Sequence, residues 1–228
     1  YNYTIGDFDS SQFPIPEELK NEIIAAYIKG YTTYPAADGE LDLRIAVSNF
    51  INNYEAIDYS PQEILIAAGG RPLIYAIYRA IVDKGDKVIY PVPSWNNNHY
   101  VHFNEGEHIL IECSRENTFM PTAAQLKPVL KDATLLAVCS PLNPTGTVFN
   151  KEDLEAICDL ILEENNRRTE GQKKLYLMYD QIYWTLTYRD TRHYNPVSLR
   201  PQMKEYTIFI DGISKAFAAT GVRVGWSM

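Results

Sequence analysis

The chain has 228 residues, 46% of them hydrophobic and 22% charged, with a formal net charge of −8. That balance excludes a largely disordered, collagen-like or coiled-coil protein, and the longest apolar runs fall far short of a bilayer span. The acidic excess leaves no electrostatic footprint for nucleic acid or an anionic membrane, so neither is expected as a partner.

In chain order, residues 17–28 and 43–54 carry helical spacing without convincing strands. Residues 1–50 are therefore set apart as an N-terminal helical segment, an arm or part of a small domain, and 51–228 as the main domain. An apolar run at 64–68 has strand length, and 72–82 is a helix with Leu73, Ile74, Ile77 and Ile81 on one face. Strands follow at 87–92 and 108–113. Thr122 with Gln125 makes an N-cap pattern for a helix running through Leu130. A strand at 134–139 precedes a helix at 153–163, which has Asn150 with Asp153 as its cap and Leu154, Ile157, Cys158 and Ile161 on one face. The polar stretch 165–174 reads as a solvated surface loop. Strands at 174–179 and 207–211 and a candidate seventh at 223–228 complete the pattern. Strand and helix signals alternate from residue 64 onward, and most strands are apolar without strict alternation. Together these predict an α/β fold: a mainly parallel seven-stranded sheet with helices on both faces.

In such sheets ligands bind beyond the carboxyl ends of the strands. Those ends carry Gly69-Gly70-Arg71, Pro93-Ser94-Trp95, Ser140-Pro-Leu-Asn143-Pro-Thr-Gly146, Asp180-Gln-Ile-Tyr183 and Gly212-Ile-Ser214-Lys215. A glycine pair at a helix start offers backbone N–H groups to an anion, although alone it suits a tight turn as well. Lys215, flanked by small and apolar residues, suits an amine held partly neutral for attack on a carbonyl. Arg223 is placed to pair with a phosphate, and Asp180, at the end of an apolar run, calls for a cationic partner. Trp95 suits ring stacking or core packing equally. The peptide bonds before Pro141 and Pro144 are candidates for the cis form.

As an ordered set, Ser214-Lys-Ala-Phe with Arg223 eight residues after the lysine, Asn143-Pro-Thr-Gly146, Asp180-Gln-Ile-Tyr183 and Gly69-Gly-Arg71 resemble fold-type-I pyridoxal-5′-phosphate (PLP) enzymes. They are most similar to the class I/II aminotransferases, the group of aspartate aminotransferase. The resemblance covers the chain from about Gly6 to its last residue. It implies PLP as cofactor, held as a Schiff base on Lys215, which also shuttles the proton. Asp180 would pair with the ring nitrogen, Tyr183 and Asn143 would hydrogen-bond the ring's phenolate oxygen, and Trp95 would stack on the ring. Gly70, Arg71, Ser214 and Arg223 would hold the phosphate, and Tyr34 would reach the phosphate of a neighbouring subunit in a homodimer. Gly6 and Asn143 would lie near the substrate carboxylate. Residues 51–228 would then be the PLP-binding large domain, truncated at its C-terminal side. Where the family often has Ser or Thr three residues before the lysine, this chain has Gly212.

The implied activity is transfer of an amino group between an amino acid and a 2-oxo acid. Two alternatives share these residues: a PLP-dependent lyase or synthase of the same fold, and an aminotransferase-like ligand-sensing domain of a transcription regulator. A doubly wound domain for another phosphorylated ligand would leave Lys215 and Asp180 incidental. Cys113, Cys139 and Cys158 are read as free thiols of a reducing, cytoplasmic compartment. His99, His102, His108 and His193 have no metal-ligand spacing, and no metal is expected. Asn2-Tyr3-Thr4 matches a glycosylation triplet, without other support for secretion. The chain opens on Tyr1 and stops at Met228, and it reads as a piece of a longer protein, with the substrate's carboxylate-binding arginine in a C-terminal domain. On that reading, the segment alone would not complete transamination.

Overall fold

The computed structural model describes residues 6–228, so the Asn2-Tyr3-Thr4 triplet lies outside the described residues. α1 (Glu17–Ile28) has two acidic residues in its first turn, where the helix dipole favours them, yet it buries no side chain. α2 (Leu41–Glu55) buries Val47 and Ile51 in the main core and ends at Ala56, which takes a left-handed conformation with φ 55°. The division drawn after residue 50 thus falls inside a helix whose two core residues flank it.

β1 (Leu65–Ala67) leads into α3 (Gly70–Ile81). The apolar stripe of α3 buries Leu73, Ile74, Ile77 and also Tyr78. β2 (Lys87–Val92), α4 (Asn97–Phe103) and β3 (Glu107–Glu112) form the next unit. α5 (Ala123–Leu126), β4 (Ala133–Cys139), α6 (Lys151–Arg167) and β5 (Tyr176–Asp180) follow. α7 (Pro196–Leu199), β6 (Thr207–Gly212), α8 (Ile213–Ala216) and β7 (Gly225–Ser227) complete the described order.

The seven strands form one sheet in the order β1-β7-β6-β5-β4-β2-β3. β2 to β6 pair in parallel, whereas β7 pairs antiparallel with both β6 and β1. Successive residues of each strand serve opposite faces. Val88, Tyr90, Leu135, Ala137, Met178 and Ile210 pack with α3 and α4 on one face. Ile89, Leu136, Val138, Leu177, Tyr179 and Phe209 pack with α2, α6 and α7 on the other. Both faces are covered, so the strands read as continuous apolar runs. Asn150 caps α6 by accepting from the Asp153 N–H at 2.7 Å, as its spacing predicts.

Two expectations are corrected. The helix expected to run through Leu130 stops at Leu126, although Thr122 and Gln125 do cap it reciprocally. Pro128 follows two residues on and has no N–H to continue the ladder. Residues 165–174 are not a solvated loop throughout. α6 extends to Arg167, and Asn165 and Arg168 are buried. Asn165 bonds both backbone groups of Leu175, giving 2.9 Å to its carbonyl and 2.8 Å from its N–H. Arg168 donates to the carbonyls of Ala133 and Leu130 and to Glu164, tying the end of α6 to the start of β4. The polar composition serves buried backbone groups here rather than solvent.

Candidate active site

β2 lies between β3 on one side and β4 on the other, so the strand order reverses at its carboxyl end, where a doubly wound sheet opens a crevice. A cavity of about 440 Å³ occupies that crevice. It is lined by Gly6, Gly70, Arg71, Trp95, Asn143, Asp180, Tyr183, Ser214, Lys215 and Arg223 among others. Every expected site residue except Tyr34 is therefore gathered on one cavity. Tyr34 is fully exposed and lines no part of it.

The floor is set by sheet alternation. Asp180 ends β5 on the same face as Met178, beside Ile210 of β6. Desolvation pushes its carboxyl up to about 6, only partly offset by the Ile182 N–H at 3.1 Å. The turn after β5 brings Tyr183 back over the cavity, where its hydroxyl accepts from the Asn143 amide at 3.2 Å. Both peptide bonds proposed for the cis form, Ser140-Pro141 and Asn143-Pro144, are cis, as is Val92-Pro93.

One wall forms an anion cradle. Gly69, at φ 91°, caps the twelve-residue α3, whose first residues, Gly70 and Arg71, line the cavity. The Arg223 guanidinium donates to the carbonyls of Ala68 at 3.1 Å and Thr220 at 2.7 Å, which brings its charge against Gly69. Gly225 packs so closely that an added Cβ would stand 2.8 Å from the Gly69 carbonyl carbon. A helix N-terminus with an arginine beside it suits a phosphate. Gly212 has the same constraint, because a Cβ there would stand 2.7 Å from the Val224 carbonyl oxygen. The backbone of β7 leaves no room for the hydroxyl residue usual at this position.

Lys215, on α8, donates to the Gly6 carbonyl at 2.7 Å and lies 5.8 Å from the Tyr183 ring centre. Burial lowers its pKa, partly countered by Asp7, which Thr220 holds through a 2.7 Å hydrogen bond. At the mouth, the Arg71 guanidinium stacks 4.9 Å from the Trp95 ring centre. Residues absent from the expected set also line the cavity, notably Ser94, Asn97, Cys139 and Thr220. Ser94 adjoins Trp95 at a strand end, which was signal enough to include it. Asn97 is fixed by Tyr78 at 3.1 Å and Ser94 at 3.3 Å, contacts that spacing does not reveal.

A desolvated carboxylate with no cationic partner among the described residues, an amine lowered by burial and an anion cradle thus share one cavity. The arrangement fits a flat ligand carrying a protonated ring nitrogen, an electrophilic carbon and a phosphate. A family model, aminotransferase class I and II, matches residues 2–228. The chain belongs to the aminotransferase class I and II family. A probable aspartate/prephenate aminotransferase of Rickettsia typhi is 34% identical over 94% of the chain and 52% of its own length. An aspartate aminotransferase of a Bacillus species (strain YM-2) is 31% identical over 94% of the chain and 53% of its own. Among solved structures, a Thermus thermophilus aspartate aminotransferase tetra mutant aligns with TM-score 0.87 and 32% identity, covering 98% of this chain and 58% of that one. The Rhizobium meliloti aspartate aminotransferase gives 0.89 and 29%, covering 99% and 54%. The chain spans about half the length of the curated relatives it matches. No helix among the described residues is long and apolar enough to cross a membrane.

Proposed function

We propose that this chain is the cofactor-binding part of a PLP-dependent aminotransferase that moves an amino group between an amino acid and a 2-oxo acid. The supporting observation is the convergence of Asp180 and Lys215 on one cavity with an anion cradle in its wall. Family membership makes aminotransfer the leading reading over a lyase or a ligand sensor. The aspartate aminotransferases among the relatives make a dicarboxylic amino acid the first substrate to try.

When bound, PLP supplies an aldehyde for covalent attachment of amines and a ring that accepts electrons. The chain's own residues do the rest. The N-terminus of α3, Ser214 and Arg223 would hold the phosphate. Asp180 would hold the proton on the ring nitrogen, the ion pair offsetting its own desolvation. Burial raises the neutral fraction of Lys215, so its Nζ would be free to hold the aldehyde covalently, with release of water, and to take and return a proton. Asn143 and Tyr183, bonded to each other, would present an amide and a phenol to the ring's oxygen. Trp95 would cover the ring face, and Gly6 would border the substrate end. We assign Tyr34 to a second subunit's site in a cytoplasmic homodimer, a reading that suits its full exposure.

The full-length protein, supplied with PLP, aspartate and 2-oxoglutarate, is expected to form oxaloacetate and glutamate in equal amounts. Release of ammonia with the 2-oxo acid unconsumed would instead establish the lyase reading.

A further inference from the structure

Behind the cofactor cavity, on the opposite face of the sheet, lies a buried polar cluster that the proposed chemistry does not use. Its members are sequence neighbours of the site residues. Gln181 follows Asp180, Trp184 follows Tyr183, and Asp211 stands four residues before Lys215. Strand alternation in β6 turns Asp211 to the far face, and the turn after β5 places Trp184 there too, so that both border a second cavity of about 810 Å³ with Gln181 hydrogen-bonded to its lining residues Glu55 and Asn195. The Trp184 indole N–H donates to Asp211 Oδ2 at 2.7 Å, and Asp211 Oδ1 accepts from the Gly212 N–H at 2.7 Å. Gln181 donates to Glu55 at 2.6 Å and accepts from Asn195 at 2.7 Å. Glu55 is the charged neighbour of Asp211, Glu55 Oε2 lies 3.9 Å from His193 Nε2, and the exposed Arg192 lines the same cavity. His193 stays neutral, its pKa lowered by burial to about 4.

One bond in this cluster joins the two turns that carry the chemistry. Trp184 belongs to the turn bearing Tyr183, and Asp211 to the strand end that continues into α8 and Lys215. We propose that Trp184 and Asp211 are a positioning pair that sets the Tyr183 phenol against the Lys215 amine from the far face of the sheet. The proposal rests on the PLP reading, since Tyr183 and Lys215 matter through the cofactor they hold. The indole also packs against Phe50, tilted at 5.8 Å, and edge-on against Tyr54 at 6.4 Å. Packing and hydrogen bonding can therefore be separated by substitution. Trp184→Phe keeps much of the packing and deletes the donor, whereas Phe50→Leu weakens the packing and keeps the bond.

The test uses the chain loaded with PLP, recording the visible band of the bound cofactor against pH, with thermal unfolding measured in parallel. Trp184→Phe is expected to move the midpoint of the band's pH change upward by about half a pH unit or more, because a looser Tyr183 donates less to the cofactor's anionic oxygen. Asp211→Asn cannot accept from both Trp184 and Gly212, and it is expected to move the midpoint the same way. It carries the test if Trp184→Phe fails to fold. Phe50→Leu is expected to lower the unfolding temperature with the midpoint in place. A wild-type band with an unchanged midpoint in Trp184→Phe and Asp211→Asn overturns the positioning pair alone. An equal shift in Phe50→Leu overturns it in favour of packing. A wild-type chain with no band, identical to Lys215→Ala, overturns the cofactor reading and this proposal together.

Discussion

Asp180 shows how a single residue ties fold to chemistry. Its position at the end of β5 removes it from water without supplying a cation, and its pKa rises to about 6. Above that pH the carboxylate is charged and ready to hold a ring-nitrogen proton; below it, the empty site holds a neutral acid. PLP affinity is therefore expected to be level from about pH 7 upward and to weaken as pH falls through 6, approaching about tenfold per unit. A binding titration at several pH values checks this, and affinity that is flat down to about pH 5 would contradict it. Gly212 is a second residue-scale case. Gly212→Ser would restore the hydroxyl common in the family but drive its Cβ into the Val224 carbonyl. The expected result is a loss of about 2 kcal/mol or more in chemical denaturation, with no gain in PLP affinity. This residue's identity was visible in the sequence as a departure; its cause was not, because the close approach of β7 to β6 is a tertiary fact.

At the scale of elements, α6 and its C-terminal end divide what local pattern reveals from what it hides. The spacing of Leu154, Ile157, Cys158 and Ile161 identifies the buried face directly, since these residues meet the sheet at helical period. The next polar residues look alike in sequence but differ in role. Arg168 is buried on three carbonyls and Glu164, whereas the Arg167 side chain is half exposed beside the same glutamate. Arg168→Ala would strand the Leu130, Ala133 and Lys173 carbonyls and leave Glu164 with Arg167 alone, at an expected cost of about 3 kcal/mol. Arg167→Ala is expected to cost under about 1 kcal/mol. Equal losses in urea denaturation would refute the distinction. The same limit hid Glu55, Asp211 and His193, whose significance lies in a shared buried space, not in any spacing. α4 and α8 are too short for a periodic signal to stand out.

Over the whole molecule, the order of the strand-end motifs was legible because a doubly wound sheet must bring the carboxyl ends of its parallel strands to one edge. Five motifs far apart in sequence meet there on one cavity. The N-terminal segment was legible as helix but not in its exposure. α1 buries nothing within the chain and leaves Tyr27, Ile28, Tyr31 and Tyr34 largely open. In the proposed homodimer this apolar surface is covered, so Ile28→Glu is expected to shift the full-length protein toward monomer in sedimentation. An unchanged dimer would place the interface elsewhere.

The central claim is that Lys215 and Asp180 hold one cofactor between them, and the visible absorption of the purified chain after addition of PLP tests it most directly. The account predicts a band that survives gel filtration in the wild type, disappears in Lys215→Ala and is weakened in Asp180→Asn. Wild type and Lys215→Ala alike, both colourless or both retaining the band, would contradict it.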